Sequence, residues 1–150
     1  MATATFEELE MNSFFALAYV SRLDRIRRGI SRARLLRNLR LISDVYGILV
    51  QELRRIDLDS LTDEDVDQLA IDLTRLYSKT SNAIDAIEKK YSTKVAEKIR
   101  GDNEIIGDIV EGLCLSRNKD FRDILTKNIR DFAARPSSSD WRTSLAKMQH

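Results

Sequence analysis

Residues 22–40 hold the densest reactive chemistry of the chain. Arg22, Arg25, Arg27, Arg28, Arg32, Arg34, Arg37 and Arg40 stand there against a single acid, Asp24. No lysine occurs before Lys79, so every side-chain cation in the first 78 residues is a guanidinium. A guanidinium is planar and always charged, and its fork of donors matches carboxylate or phosphate two bonds at a time. Two readings follow. In one, the segment is a solvated helix–helix corner laced with internal ion pairs. In the other, Arg25, Arg27, Arg28, Arg32, Arg34 and Arg37 bind a polyanion such as nucleic acid or a phosphate-bearing ligand. Few aromatics interleave with the arginines, which favours contact with a phosphate backbone over base stacking. A third reading, a membrane-surface helix over 22–40, is weakened by Gly29 and by the need for the same apolar residues inside a fold.

Other reactive chemistry is thinly supplied. The only histidine is His150, the final residue. A di-metal carboxylate bundle needs inward Glu-x-x-His pairs and cannot be assembled from it. One cysteine and one terminal histidine serve zinc equally poorly. The acidic run 57–72 holds Asp57, Asp59, Asp63, Glu64, Asp65, Asp67 and Asp72. As a calcium loop starting at Asp57 it fails, because Leu61, Thr62 and Gln68 occupy the places that need a ligand, a glycine and a glutamate. It reads instead as a loop and a helix start. Gly101, Gly107 and Gly112 fit neither phosphate-loop nor dinucleotide spacing. Cys114, between Leu113 and Leu115, reads as a small core residue. Tyr19, Tyr46, Tyr77 and Tyr91 read as core tyrosines with one bonded hydroxyl each. The expectation is a protein without enzymatic activity, cofactor or metal.

The elements that must position these residues are helices. The single proline is Pro136 and the glycines number five, so turn and strand punctuation is nearly missing over 5–135. Apolar residues recur at helical spacing throughout. Thr5 with Glu8 forms a capping-box pattern, followed by Phe6, Leu9, Phe14, Leu17, Leu23 and Ile26 over 6–28. A second helix spans 31–56 on Leu35, Leu39, Ile42, Tyr46, Leu49 and Leu53. Its outer side offers an ion pair of Arg40 with Asp44, and Gly47 suggests a close helix approach. Ser60 or Thr62 caps a third helix running to about residue 91, with a soft spot at 78–82. Beyond it, Val95 and Ile99 suggest a continuation or a short helix ending at Gly101, and helices over 103–115 and 118–134 are expected. No repeat marks a solenoid.

The fold class that follows is all-α: an antiparallel up-down helical bundle of four to five main helices plus a short C-terminal tail helix. Residues 1–135 form one domain and 136–150 a flexible or docked tail, in which Trp141, Leu145 and Met148 share a helical spacing that could serve a partner groove. Up-down helices gather the arginine corner beside Lys89, Lys90, Lys94 and Lys98 at one pole, with the acids at the other. The 25 Lys and Arg against 24 Asp and Glu leave a net charge of +1, which asks for no polyanion overall. No stretch has the length and apolarity of a membrane span. The N-terminal residues do not read as a secretory leader, so a cytoplasmic protein is expected. Its expected function is interaction or assembly, as a homo-oligomer or with another protein subunit.

Overall fold

A computed structural model describes residues 4–116. Of these, 88% are helical and none forms a strand. Four long helices carry the chain: α1 (Phe6–Ile26), α2 (Arg32–Arg55), α3 (Asp63–Glu88) and α4 (Lys94–Ser116). Single 3-10 turns at Arg27–Gly29 and Leu58–Ser60 lie in the first two connections. The expected helix over 118–134, the linker at Pro136 and the tail residues Trp141, Leu145 and Met148 lie outside the described residues.

Each helix start answers its free amides locally. Thr5 Oγ1 accepts from the Glu8 amide at 3.1 Å, the hydroxyl half of the expected capping box. Ser31 Oγ accepts from Arg34 at 3.3 Å. Thr62 and Asp65 complete a reciprocal box, with both bonds near 3 Å. Thr93 Oγ1 receives the Ala96 amide at 3.0 Å. Asp63, Glu64 and Asp65 place negative charge at the positive end of α3.

Helix α1 packs against α2 and α3, and α4 packs against the same two helices. Helices α2 and α3, consecutive in the chain, share no main packing face; they were expected to be neighbours. A short bridge between Ala4 and Ile56 ties the start of α1 to the end of α2. One continuous core fills the centre, led by Leu9, Leu23, Leu39, Ile42, Leu49, Leu69, Leu73, Leu76, Ile99 and Ile106.

Helix α3 runs as one helix through the soft spot at 78–82. Thr80 and Ser81 there are buried and bonded rather than disruptive. Helix α4 runs unbroken through Gly101, where a boundary was expected. A glycine inside a helix costs only about 1 kcal/mol, and burial of Ala96, Ile99, Asn103, Ile106 and Val110 on both sides outweighs it. A Cβ built at Gly47 meets nothing within 4 Å, so that glycine serves no close approach. Phe14 was assigned to the core stripe and is instead exposed, as are Tyr19 and Tyr91.

Candidate interaction surfaces

A polar cluster lies in the interior between α2, α3 and α4. Tyr46 Oη lies 2.6 Å from Thr80 Oγ1 and 2.8 Å from Asn103 Oδ1. It has one proton to give, so it donates to the amide oxygen and accepts from the threonine hydroxyl. Asn103 Nδ2 donates to the Tyr77 carbonyl at 3.1 Å and to Ser81 Oγ at 3.3 Å. Tyr77 Oη donates to Glu104 Oε1 at 2.8 Å. Burial pushes the Tyr46 hydroxyl well above the ordinary tyrosine range, which keeps it protonated at neutral pH. Tyr46, Thr80 and Asn103 are fully or almost fully buried. The cluster therefore ties α2, α3 and α4 in register.

At the arginine corner, Arg27 Nε pairs with Asp24 Oδ1 at 3.0 Å. It is the only one of the eight arginines paired with an acid among the described residues. The expected pair of Arg40 with Asp44 does not form. Both side chains are exposed, and a cation preceding its acid along the helix is the weaker order. The Arg32 guanidinium stacks over the Tyr91 ring, 5.7 Å from its centroid. That contact joins the start of α2 to the connection between α3 and α4. The structure thus brings Arg32 next to the segment bearing Lys89, Lys90 and Lys94. Arg25, Arg28, Arg34 and Arg37 are exposed around it.

Further along, an open cleft of about 210 Å³ between α2 and α4 is lined by Arg40, Ser43, Asp44, Lys94, Val95 and Lys98. Lys98 is partly answered there, by Asp102 Oδ2 at 3.2 Å and Ser43 Oγ at 3.4 Å. Arg40 and Lys94 carry no ion pair among the described residues.

The surface that sequence reasoning missed is the outer face of α1. Met11, Phe14, Phe15 and Tyr19 expose 57%, 69%, 43% and 38% of their surface. Phe14 and Phe15 meet edge to face, with ring centroids 6.5 Å apart and planes at 63°. Leu9, Ser13, Ala16, Val20 and Leu23 occupy the inner face. The signal was present: the run 14–20 (FFALAYV) carries more large apolar side chains than one inward stripe can absorb. Helix α2 adds exposed Leu41 and Ile48. Asn12 Nδ2 donates to buried Glu52 Oε1 at 2.8 Å, which sets the register between α1 and α2. That register puts Ile48 level with Ala16.

Among the described residues no helix is long and apolar enough to cross a membrane, and no group of three metal-ligating side chains gathers. Comparison with protein-family models, with curated proteins and with solved structures finds no match.

Proposed function

We propose that this chain is a non-enzymatic interaction and assembly protein whose contact surface is the outer face of α1. The observation that carries the reading is the exposed row of Met11, Phe14, Phe15 and Tyr19. Burying a side chain of this kind is worth about 1.5–3 kcal/mol. The bundle has an ample core and does not bury them. A contiguous aromatic face left in water marks a protein contact site.

The test is the size of the native particle in a gentle extract of the source cells, read by sedimentation for the wild-type chain and for Phe14→Glu. The expected wild-type particle exceeds the single chain of 17.3 kDa. Phe14→Glu sediments as a single chain and keeps the wild-type circular dichroism. A wild-type chain that sediments alone in extract ends the reading.

A second reading has its own support. Seven of the eight arginines in 22–40 lack an acid partner among the described residues, which leaves their field free for a polyanion. This reading predicts that affinity for a single-stranded RNA falls steeply with salt as counterions are released. The variant with Arg27, Arg28, Arg32 and Arg34 all changed to Gln loses that binding. Equal affinity of variant and wild type removes the reading.

A further inference from the structure

The outer face of α1 is self-complementary. Glu7, Met11, Phe14, Phe15, Ala18 and Arg22 follow one another at spacings of four, three, one, three and four. All six are exposed on the side of α1 opposite its buried residues. Reversing the row gives the same spacings. A second α1 laid antiparallel across it, with a two-fold axis between Phe14 and Phe15, therefore meets it position by position. Phe14 falls on Phe15 of the second copy, Met11 on Ala18, and Glu7 on Arg22.

Each of those pairings is favourable. Rings meet rings at the axis, where the edge-to-face pair of one copy leaves ring surface free for the other. A long, flexible methionine lies over a small alanine, which lets the helices come close. At both ends an acid faces an arginine. Neither Glu7 nor Arg22 has an ion pair within the described residues of its own chain. Parallel pairing would instead set Glu7 on Glu7 and Arg22 on Arg22, which repel. Antiparallel packing also opposes the two helix dipoles.

We propose that the occupant of this face is a second copy of this chain, seated with α1 antiparallel to α1 in an isologous two-fold dimer. The proposal rests on the interaction reading above and names its partner. A contact built mainly from one helix of each copy is small, so the dimer is reversible.

The experiment is sedimentation equilibrium of the purified full-length chain at low salt, over the micromolar range. The wild-type chain is expected to associate to a dimer and no further. Glu7→Arg and Arg22→Glu each place like charges at both ends of the contact and weaken dimerisation about tenfold or more. An equal mixture of the two variants recovers wild-type affinity. Every pair in the mixed dimer then sets a cation at one of the positions 7 and 22 against an acid at the other. The double variant recovers for the same reason. At concentrations too low for any of them to dimerise, the variants unfold close to the wild-type curve, because both positions are exposed.

A wild-type chain that stays monomeric overturns the proposal, as does a mixture no tighter than its components. The two failures separate cleanly. If the purified chain is monomeric while the particle in extract is large and is lost in Phe14→Glu, α1 binds a different protein and only the second copy is wrong. If the particle in extract is also a single chain, the interaction reading falls too.

Discussion

The two helical hairpins of this bundle are built from similar residues and satisfy them differently. In α3 and α4 part of the charge is paired within the chain. The Arg100 guanidinium reaches Asp85 at 2.7 Å and also bonds Glu88, and Lys98 meets Asp102. Several buried polar groups of this hairpin converge on Asn103, while Thr74 Oγ1 and Ser78 Oγ are buried without a hydrogen-bond partner among the described residues. Its exposed large apolar residues are Tyr91, lying under Arg32, and Leu115. In α1 and α2 the balance is reversed. Arginines outnumber their acid partners, and Met11, Phe14, Phe15, Tyr19, Leu41 and Ile48 face outward. One hairpin pairs more of its charge and exposes little apolar surface; the other leaves both charge and apolar surface to be satisfied from outside. For that reason every contact surface proposed above lies on α1 and α2 or at their edge.

The largest test of this contrast sets the interior of one hairpin against the outer face of the other. Asn103→Ala removes the acceptor of Tyr46 and the donor to the Tyr77 carbonyl and Ser81. Stranding buried polar groups costs about 1–3 kcal/mol each. The variant is expected to lose about 3 kcal/mol or more in urea unfolding at unchanged slope. Phe14→Ala, by contrast, stays within about 0.5 kcal/mol of the wild-type monomer, as exposed positions do. A Phe14→Ala loss approaching that of Asn103→Ala breaks the contrast, because it means that the chain itself covers the face.

A smaller effect separates the arginines. Arg100→Ala dismantles a forked, half-buried pair and is expected to cost about 1 kcal/mol, near the upper end for ion pairs open to solvent. Arg37→Ala, with no partner among the described residues, changes stability by less than about 0.5 kcal/mol. Equal losses at the two positions, measured by thermal unfolding in the same buffer, would falsify the division into paired and unpaired hairpins.

The start of α3 was legible up to the choice of its cap: Ser60 or Thr62 was expected, with acids in the first turn, and the structure selects Thr62 in a reciprocal box with Asp65. These groups act over three residues, so local chemistry decides the outcome. The interior of α4 was not legible. Gly101 is a local signal of about 1 kcal/mol, and the packing of Ile99, Asn103 and Ile106 across two other helices overrules it. Phe14 failed for a different reason. Helix α1 is apolar on two faces, and periodicity alone does not say which face turns inward. That choice depends on what α2 and α3 present, which no window of one helix contains. The pairing of Asn103 with Tyr46 joins positions 57 apart in sequence and carries no pattern at all. The arginine corner was legible as composition. That its cations would go unpaired was not, because exposed ion pairs are set by rotamers and solvent.

The smallest predicted effect concerns the acidic starts of α1 and α3, where the two hairpins meet. Burial raises the Asp72 carboxyl above its ordinary value, against the opposing hydrogen bond from Gln68 and the charge of Arg75. Burial also raises Glu10, and the charges of Asp72, Asp65 and Glu7 add to it. A carboxyl whose folded pKa is raised holds its proton more tightly in the native state than in the unfolded chain. Between the ordinary value and the raised one, the native state therefore binds more protons, and stability falls as pH rises. Above that window both states are ionised and the full cost remains. Asp72→Asn keeps an oxygen for the Gln68 amide, which donates at 2.9 Å, and removes the titration. The variant is expected to unfold at a slightly higher temperature than wild type at neutral pH. The gap should close as pH is lowered through the window toward 3.8, the ordinary aspartate value. Arg37→Ala run alongside should show no such convergence. If Asp72→Asn tracks wild type at every pH, the crowding of acids between α1 and α3 carries no cost, and the acidic pole is as well solvated as the arginine corner.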